Sequence, residues 1–468
     1  MTATQLWQWS AVDLAEGVRT GAISAQESVE SAVDRMRAVN PAINAVVIDC
    51  GSEAIAQARV MDQHSQSEEG GLLRGVPVTV KVNVDTKGHP NSNGVAAMAD
   101  NIATDDSPVV ANLKRAGAII IGITNTPEFS MRAVTENPLY GRTLNPWDET
   151  ITPGGSSGGA AASLAMGIGA IAHGNDIGGS LRWPAFANGL STIRPTQGRI
   201  AAYNPSATAE RGLISQLMST QGPIAREVRD VALGLEVMSA RDPRDPFWVP
   251  APLDSGEFAK KVAVAQIPDG FAVDPAIQAA VNDAVAMFKD AGWELTEVPA
   301  PDLPRALQLW WTLIGTELRL AKDVMLPASS PQMQSMLNSI FEVTGPTDLA
   351  DYASAASERT AIIRKWLSLL EKYPVVLSPL TLRTHLSPDG DLGDATHVQT
   401  MFRDFIFQAG LNTLGLPCVV TPTGLHHNRP IGVQLIASRF REDVALAAAS
   451  VIGERVGPLT HQLWARSS

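Results

Sequence analysis

LRGVPVTVKVNVD, residues 73–85, places valine at 76, 78, 80, 82 and 84, a period-two run of β-branched side chains that reads as a strand carrying Lys81. A helical stretch follows at 107–116 (SPVVANLKRA), then a wholly apolar run, AIIIGIT, at 118–124. Strand, helix, strand at this spacing predicts a parallel α/β layer. Upstream, residues 4–40 carry two helical patterns. Ser24 with Glu27 forms a capping box for the second helix, which Asn40-Pro41 is expected to end. Residues 42–62 read as a short strand and a helix, and HSQSEEGG at 64–71 reads as a loop. Downstream, the Pro- and Asp-rich stretch within 241–260 predicts a surface linker. KVAVAQI then reads as a strand, 274–291 as a helix and 302–370 as mostly helical. Apolar strands are expected in 373–379, 414–422 and 430–437, with an Ala-rich helix closing the chain.

Composition removes several classes of function. The 468 residues are 45% hydrophobic and 18% charged, with a formal net charge of -12, which is the make-up of a globular domain with room for a sizeable core. That negative balance, without a Lys/Arg-rich run, opposes binding to a phosphate backbone, so no nucleic-acid partner is expected. Cys50 and Cys418 have no metal-ligand or redox spacing and read as small buried hydrophobes, so neither a metal nor a disulfide framework is expected. No run of eighteen apolar residues suggests a membrane span, and the N-terminus lacks a basic-then-apolar leader; a cytoplasmic location is the expectation.

Chemistry concentrates in PGGSSGGAAASLAMGIGAIAHGNDIGGSLRWPA, residues 153–185, where two glycine-flanked serines, Ser156 and Ser180, stand 24 residues apart. The first element lacks the lysine of a P-loop. It fits the letter of a G-x-S-x-G nucleophile elbow, but ETITPG before it reads as a loop where an elbow needs a strand, and none of the eight histidines has a context that recommends it as a base. The second element, Asn175-Asp176-Ile177-Gly178-Gly179-Ser180, offers successive backbone N–H groups in a turn, a nest suited to a developing oxyanion. Serine needs a base, and Lys81 is a candidate because burial in an apolar strand lowers a lysine pKa toward neutrality; its alternative is an edge-strand lysine in solvent.

These stretches together with GVPVTVK (75–81), GITNTPEF (122–129), LNPWD (144–148), RPTQGR (194–199), STQGPIAREVRD (219–230), LNTLGLPCVV (411–420) and PIGVQLI (430–436) resemble the amidase signature family of serine hydrolases. The resemblance implies an α/β fold with a large mixed, twisted sheet covered by helices on both faces. It implies a single domain over 1–468, with N-terminal helices in 1–70, the signature core in 71–240, and a linker, helical cap and closing strands in 241–468. It also implies a Ser-cis-Ser-Lys triad: Ser180 attacks the carbonyl, Ser156 relays the proton and neutral Lys81 accepts it. The N–H groups of Ile177, Gly178, Gly179 and Ser180 would form the oxyanion hole, and Ser130 and Met131 would line the substrate cavity. No cofactor is implied.

Three positions depart from the family pattern. Val82 stands where Asp is frequent, leaving Asn83 to supply its hydrogen bonds; Asn175 replaces a usual threonine; His173 replaces a small or apolar residue. Asp176 reads as a cap of the serine turn, Arg182 as a structural ion-pair partner, and Trp310 and Trp311 either as packing or as a pocket wall. The expected activity is hydrolysis of the C–N bond of small aryl or alkyl amides by a monomer or homodimer. The alternatives are a carbamate hydrolase, the glutaminase subunit of a tRNA-dependent amidotransferase, and a non-catalytic amide-binding protein.

Overall fold

The computed structural model describes residues 5–63, 71–254 and 256–466, so the loop expected at 64–71 lies, apart from Gly71, outside the described residues. The strands are β1 (Val46–Asp49), β2 (Pro77–Lys81), β3 (Ile119–Thr124), β4 (Glu136–Asn137), β5 (Gly141–Arg142), β6 (Ile171–Asp176), β7 (Ser191–Arg194), β8 (Thr220–Ala225), β9 (Lys261–Gln266), β10 (Glu294–Pro299), β11 (Val375–Pro379), β12 (Cys418–His426) and β13 (Arg429–Ala437). β4 and β5 pair with each other, and the other eleven form one sheet in the order β1-β3-β2-β6-β8-β7-β12-β13-β11-β9-β10.

The parallel layer expected around Lys81 is present, since β2 runs parallel to both β3 and β6. It is embedded in a mixed sheet, because β6, β8, β7, β12 and β13 pair antiparallel in succession before β11, β9 and β10 resume parallel pairing. Alternation along the strands sends neighbouring side chains to opposite faces. Val375 and Leu377 join a core with the helices Pro275–Asp290 and Glu442–Val456, while Val376 between them joins a second core with the helices Leu303–Leu320, Leu349–Lys372 and Ile406–Leu414. Helices therefore cover both faces, and this α/β arrangement is the one the resemblance implied.

Two local expectations change. The capping box forms, with Ser24 Oγ accepting the Glu27 N–H and Glu27 accepting the Ser24 N–H, but the helix runs Ala25–Ile43, through Pro41. A proline in the last turn forfeits one helical bond without breaking the helix. The helix stops where Asn44 turns left-handed and Asn40 Oδ1 takes the N–H groups of Ala45 and Val46. Strand β10 was not legible because ELTEVP is largely exposed and lacks apolar alternation; it is recruited at the sheet edge by β9.

The helix Glu442–Val456 is tied to the segment after β7 through Glu442, which accepts the Thr196 N–H at 2.9 Å and Arg199 Nη2 at 2.8 Å, all three residues being buried. Replacing Glu442 by alanine leaves the Arg199 charge without its carboxylate. The expected loss is about 3–5 kcal/mol of unfolding free energy, read as a lower midpoint in urea denaturation.

Candidate active site

β2 ends on Lys81, whose side chain is fully buried. Its Nζ lies 2.7 Å from Ser156 Oγ, 3.2 Å from Ser157 Oγ and 2.8 Å from Asn175 Oδ1. Burial drives its pKa well below the ordinary lysine value, and the Asp176 carboxylate pulls weakly the other way. A neutral amine has two N–H bonds and one lone pair. Asn175 Oδ1 is an acceptor and takes one N–H, Ser157 Oγ is placed for the second, and the lone pair is left facing the hydroxyl of Ser156. The chain reaches Ser156 through a cis peptide from Gly155, and the preceding 153–155 segment is not a strand, which removes the elbow reading.

Asn175 is itself held by Asn83. The two amides exchange hydrogen bonds, Asn175 Nδ2 donating to Asn83 Oδ1 at 2.9 Å and Asn83 Nδ2 to Asn175 Oδ1 at 3.2 Å. The departure at Val82 is thereby met: valine fills the core, fully buried, and the next residue supplies the polar contact.

β6 delivers the second serine. At its end, Asp176 accepts the N–H groups of Gly179 (2.9 Å) and Leu181 (3.1 Å), closing the turn that presents Ser180. Arg182 Nε reaches Asp176 Oδ2 at 3.0 Å, with both side chains fully buried, and the guanidinium holds that carboxyl below the usual carboxylate range against the opposing effect of burial. The expected structural roles of Asp176 and Arg182 follow from these contacts. The Gly179 N–H, expected among the oxyanion donors, is directed at Asp176, while Ile177, Gly178 and Ser180 belong to the cavity lining. The Ser180 hydroxyl has no hydrogen bond to a described protein group.

Ser156, Ser180 and the 175–179 turn form one side of a cavity of about 730 Å³. Ser130 and Met131 line it as expected, although the Ser130 hydroxyl is engaged by Asn93 Oδ1 at 2.7 Å and Asn83 Nδ2 at 2.9 Å. Part of the lining is aromatic: Trp310 and Trp311 meet Phe402 with ring centroids 5.1 and 4.5 Å apart, and Phe405 continues the surface. The tryptophan pair is thus both packed and pocket-forming, and Trp310 Nε1 donates to the Ile177 carbonyl at 2.8 Å, bracing the serine turn. Phe402 and Phe405 escaped the sequence reading, although their i, i+3 spacing in MFRDFIF marks one helical face. His173 lies outside the cavity lining, buried with Nε2 2.8 Å from Gln221 Oε1 and its pKa pushed down to about 4, chiefly by burial.

A buried amine of lowered pKa, two serines and a turn of free N–H groups beside an aromatic cavity define an acyl-transfer hydrolase site. Comparison with known proteins is consistent with that class. A model of the amidase family matches residues 27–446, and the chain belongs to that family, the amidase signature enzymes. An indoleacetamide hydrolase of Bradyrhizobium diazoefficiens is 53% identical over 465 residues, covering 98% of this chain and 88% of the relative. Another, from Bradyrhizobium japonicum, is 51% identical over 384 residues, 81% of this chain and 82% of the relative. Among solved structures, a 6-aminohexanoate cyclic dimer hydrolase complexed with substrate superposes with a TM-score of 0.83 at 26% identity, over 98% of this chain and 100% of that one. A bacterial aryl acylamidase gives 0.82 at 26% identity, over 97% of each. The protein is an enzyme that hydrolyses amide C–N bonds.

The amide at 175 meets Lys81 Nζ at 2.8 Å without giving it a counter-charge. Replacing Asn175 by aspartate puts a carboxylate at hydrogen-bond distance from Nζ and is expected to raise the Lys81 pKa by about 1–3 pH units, measured by NMR titration of isotope-labelled lysine. An unchanged titration would show that Asn175 does not govern this amine.

Proposed function

We propose that the protein hydrolyses arylacetamides of the indoleacetamide kind to the arylacetic acid and ammonia, through an acyl-enzyme on Ser180. The observation that carries the reading is the buried Lys81–Ser156 contact opening on an aromatic-walled cavity that also holds Ser180. Ser180 Oγ attacks the amide carbonyl while its proton passes to Ser156 Oγ, and the Ser156 proton passes to the lone pair of Lys81. The oxyanion forms against the N–H groups of Ile177, Gly178 and Ser180, each such donor being worth about 3–4 kcal/mol of transition-state stabilisation. As the C–N bond breaks, the proton returns through Ser156 to the leaving nitrogen and ammonia departs. Water, deprotonated by the same relay, then attacks the acyl-Ser180 ester and releases the acid.

Trp310, Trp311, Phe402 and Phe405 supply the flat apolar surface that an indole or phenyl ring buries. Glutamyl-tRNA(Gln) amidotransferase A subunits are more distant, 29–31% identical, and the aromatic wall suits an aryl group better than the charged end of glutamine. A carbamate presents the same carbonyl to the same groups, and its turnover is compared directly below. The net charge of -12 favours small-molecule partners over nucleic acid, and no helix among the described residues is long and apolar enough to cross a membrane.

Ammonia release from indoleacetamide, glutamine and an aryl carbamate tests the reading. Indoleacetamide is expected to exceed the others in kcat/KM by at least about 100-fold, and Ser180→Ala to lower its kcat by about four orders of magnitude or more. Preference for glutamine or the carbamate would overturn it. Since the base must be neutral, kcat/KM is expected to rise with pH through the lowered Lys81 pKa and then level; Lys81→Arg, which stays charged, is expected to abolish that limb together with turnover.

A further inference from the structure

Gln408 lies in the helix Ile406–Leu414, three residues beyond Phe405, and belongs to the lining of the same cavity. Its side chain is fully buried, yet neither amide atom, Oε1 nor Nε2, has a hydrogen-bond partner among the described residues. Such an amide forfeits its hydration without replacement, so its retention calls for a partner that the free protein lacks.

Its neighbours are already committed. The Gln408 N–H goes to the Phe405 carbonyl and its own carbonyl takes Arg182 Nη2 at 3.2 Å. Arg182 spends its remaining donors on Asp176, Asn412, Gln434 and the Phe407 carbonyl. The free amide sits against the backbone of Gly179: a Cβ placed there would lie 2.1 Å from Gln408 Oε1. The glycine is what lets the amide approach, and it does so one residue before Ser180, at the reacting end of the cavity. A primary carboxamide held at Ser180 brings two N–H donors on its leaving nitrogen. Beside it Trp310 lies against Gly178, and an aromatic ring accepts such donors poorly.

We propose that Gln408 orients the substrate, its Oε1 accepting an N–H from the leaving nitrogen of the scissile carboxamide and so selecting primary amides. The proposal rests on the reading of Ser180 as the nucleophile, and the test separates the two. Gln408→Met keeps length and volume while removing the amide. Two rates are compared with wild type: kcat/KM for indoleacetamide, and the rate at which a fluorophosphonate, which carries no carboxamide, labels Ser180. Amide turnover is expected to fall about 10- to 100-fold, the cost of a hydrogen bond left unmade, while labelling stays within about twofold. Thermal melting is expected to remain at or above the wild-type midpoint, because an unpartnered buried amide has been replaced by an apolar chain. Unchanged amide turnover would overturn the proposal, as would a parallel fall in labelling, which would make Gln408 a support of the turn. Wild-type protein that neither labels at Ser180 nor releases ammonia would overturn the parent reading and this one together. Should Gln408→Met fail to fold, Gln408→Leu is read in the same way.

Discussion

The buried ion pair between Asp176 and Arg182 holds the active region together. Asp176 stands at the end of β6, closes the turn before Ser180 through two backbone N–H groups, and draws in Asn412 Nδ2 at 2.8 Å. Arg182 answers from the first residue of the helix Arg182–Asn188 and extends the network to Gln434 on β13 and to the carbonyls of Phe407 and Gln408. Taking two charges out of water is costly, and the cost is offset here because nearly every donor and acceptor is satisfied. The network joins the serine turn, the central sheet and the helix after Phe405, so Ser180 and the aromatic lining are registered against each other by one set of hydrogen bonds.

A second constraint follows from where the sheet places Lys81. β2 is flanked by β3 and β6, its five residues are all buried, and the amine at its end meets no carboxylate at contact distance. Desolvation therefore dominates its titration, and the amides of Asn83 and Asn175 give the amine a direction without giving it a counter-charge. An amide suits that purpose: it accepts an N–H firmly yet carries no charge that would stabilise the ammonium.

Much of this was legible in the chain. The valine alternation around Lys81, the apolar strand at 119–124, the capping box at Ser24 and the glycine-flanked serines are local signals, since each depends on residues within a turn or a strand of one another. Asp176 as a cap was legible for the same reason, whereas its pairing with Arg182 came from the structure. Phe402, Phe405 and Gln408 were not, because nothing local distinguishes a helical face that borders a cavity from one that faces a core. The pairing of Asn83 with Asn175 was likewise hidden, as those residues are 92 apart in sequence.

By itself, the sequence determined the family and the α/β alternation, because turns, strands and glycine-rich nests are specified by short-range sterics and hydrogen bonding. Tertiary structure decided whether Lys81 is an exposed ammonium or a buried amine, which N–H groups of the 177–180 turn stay free, and what lies across the cavity from Ser180. Those outcomes depend on desolvation and on contacts between segments far apart in the chain, such as Arg182 with Gln434, 252 residues away. Local pattern does not encode them, since burial is a property of the assembled sheet and its covering helices.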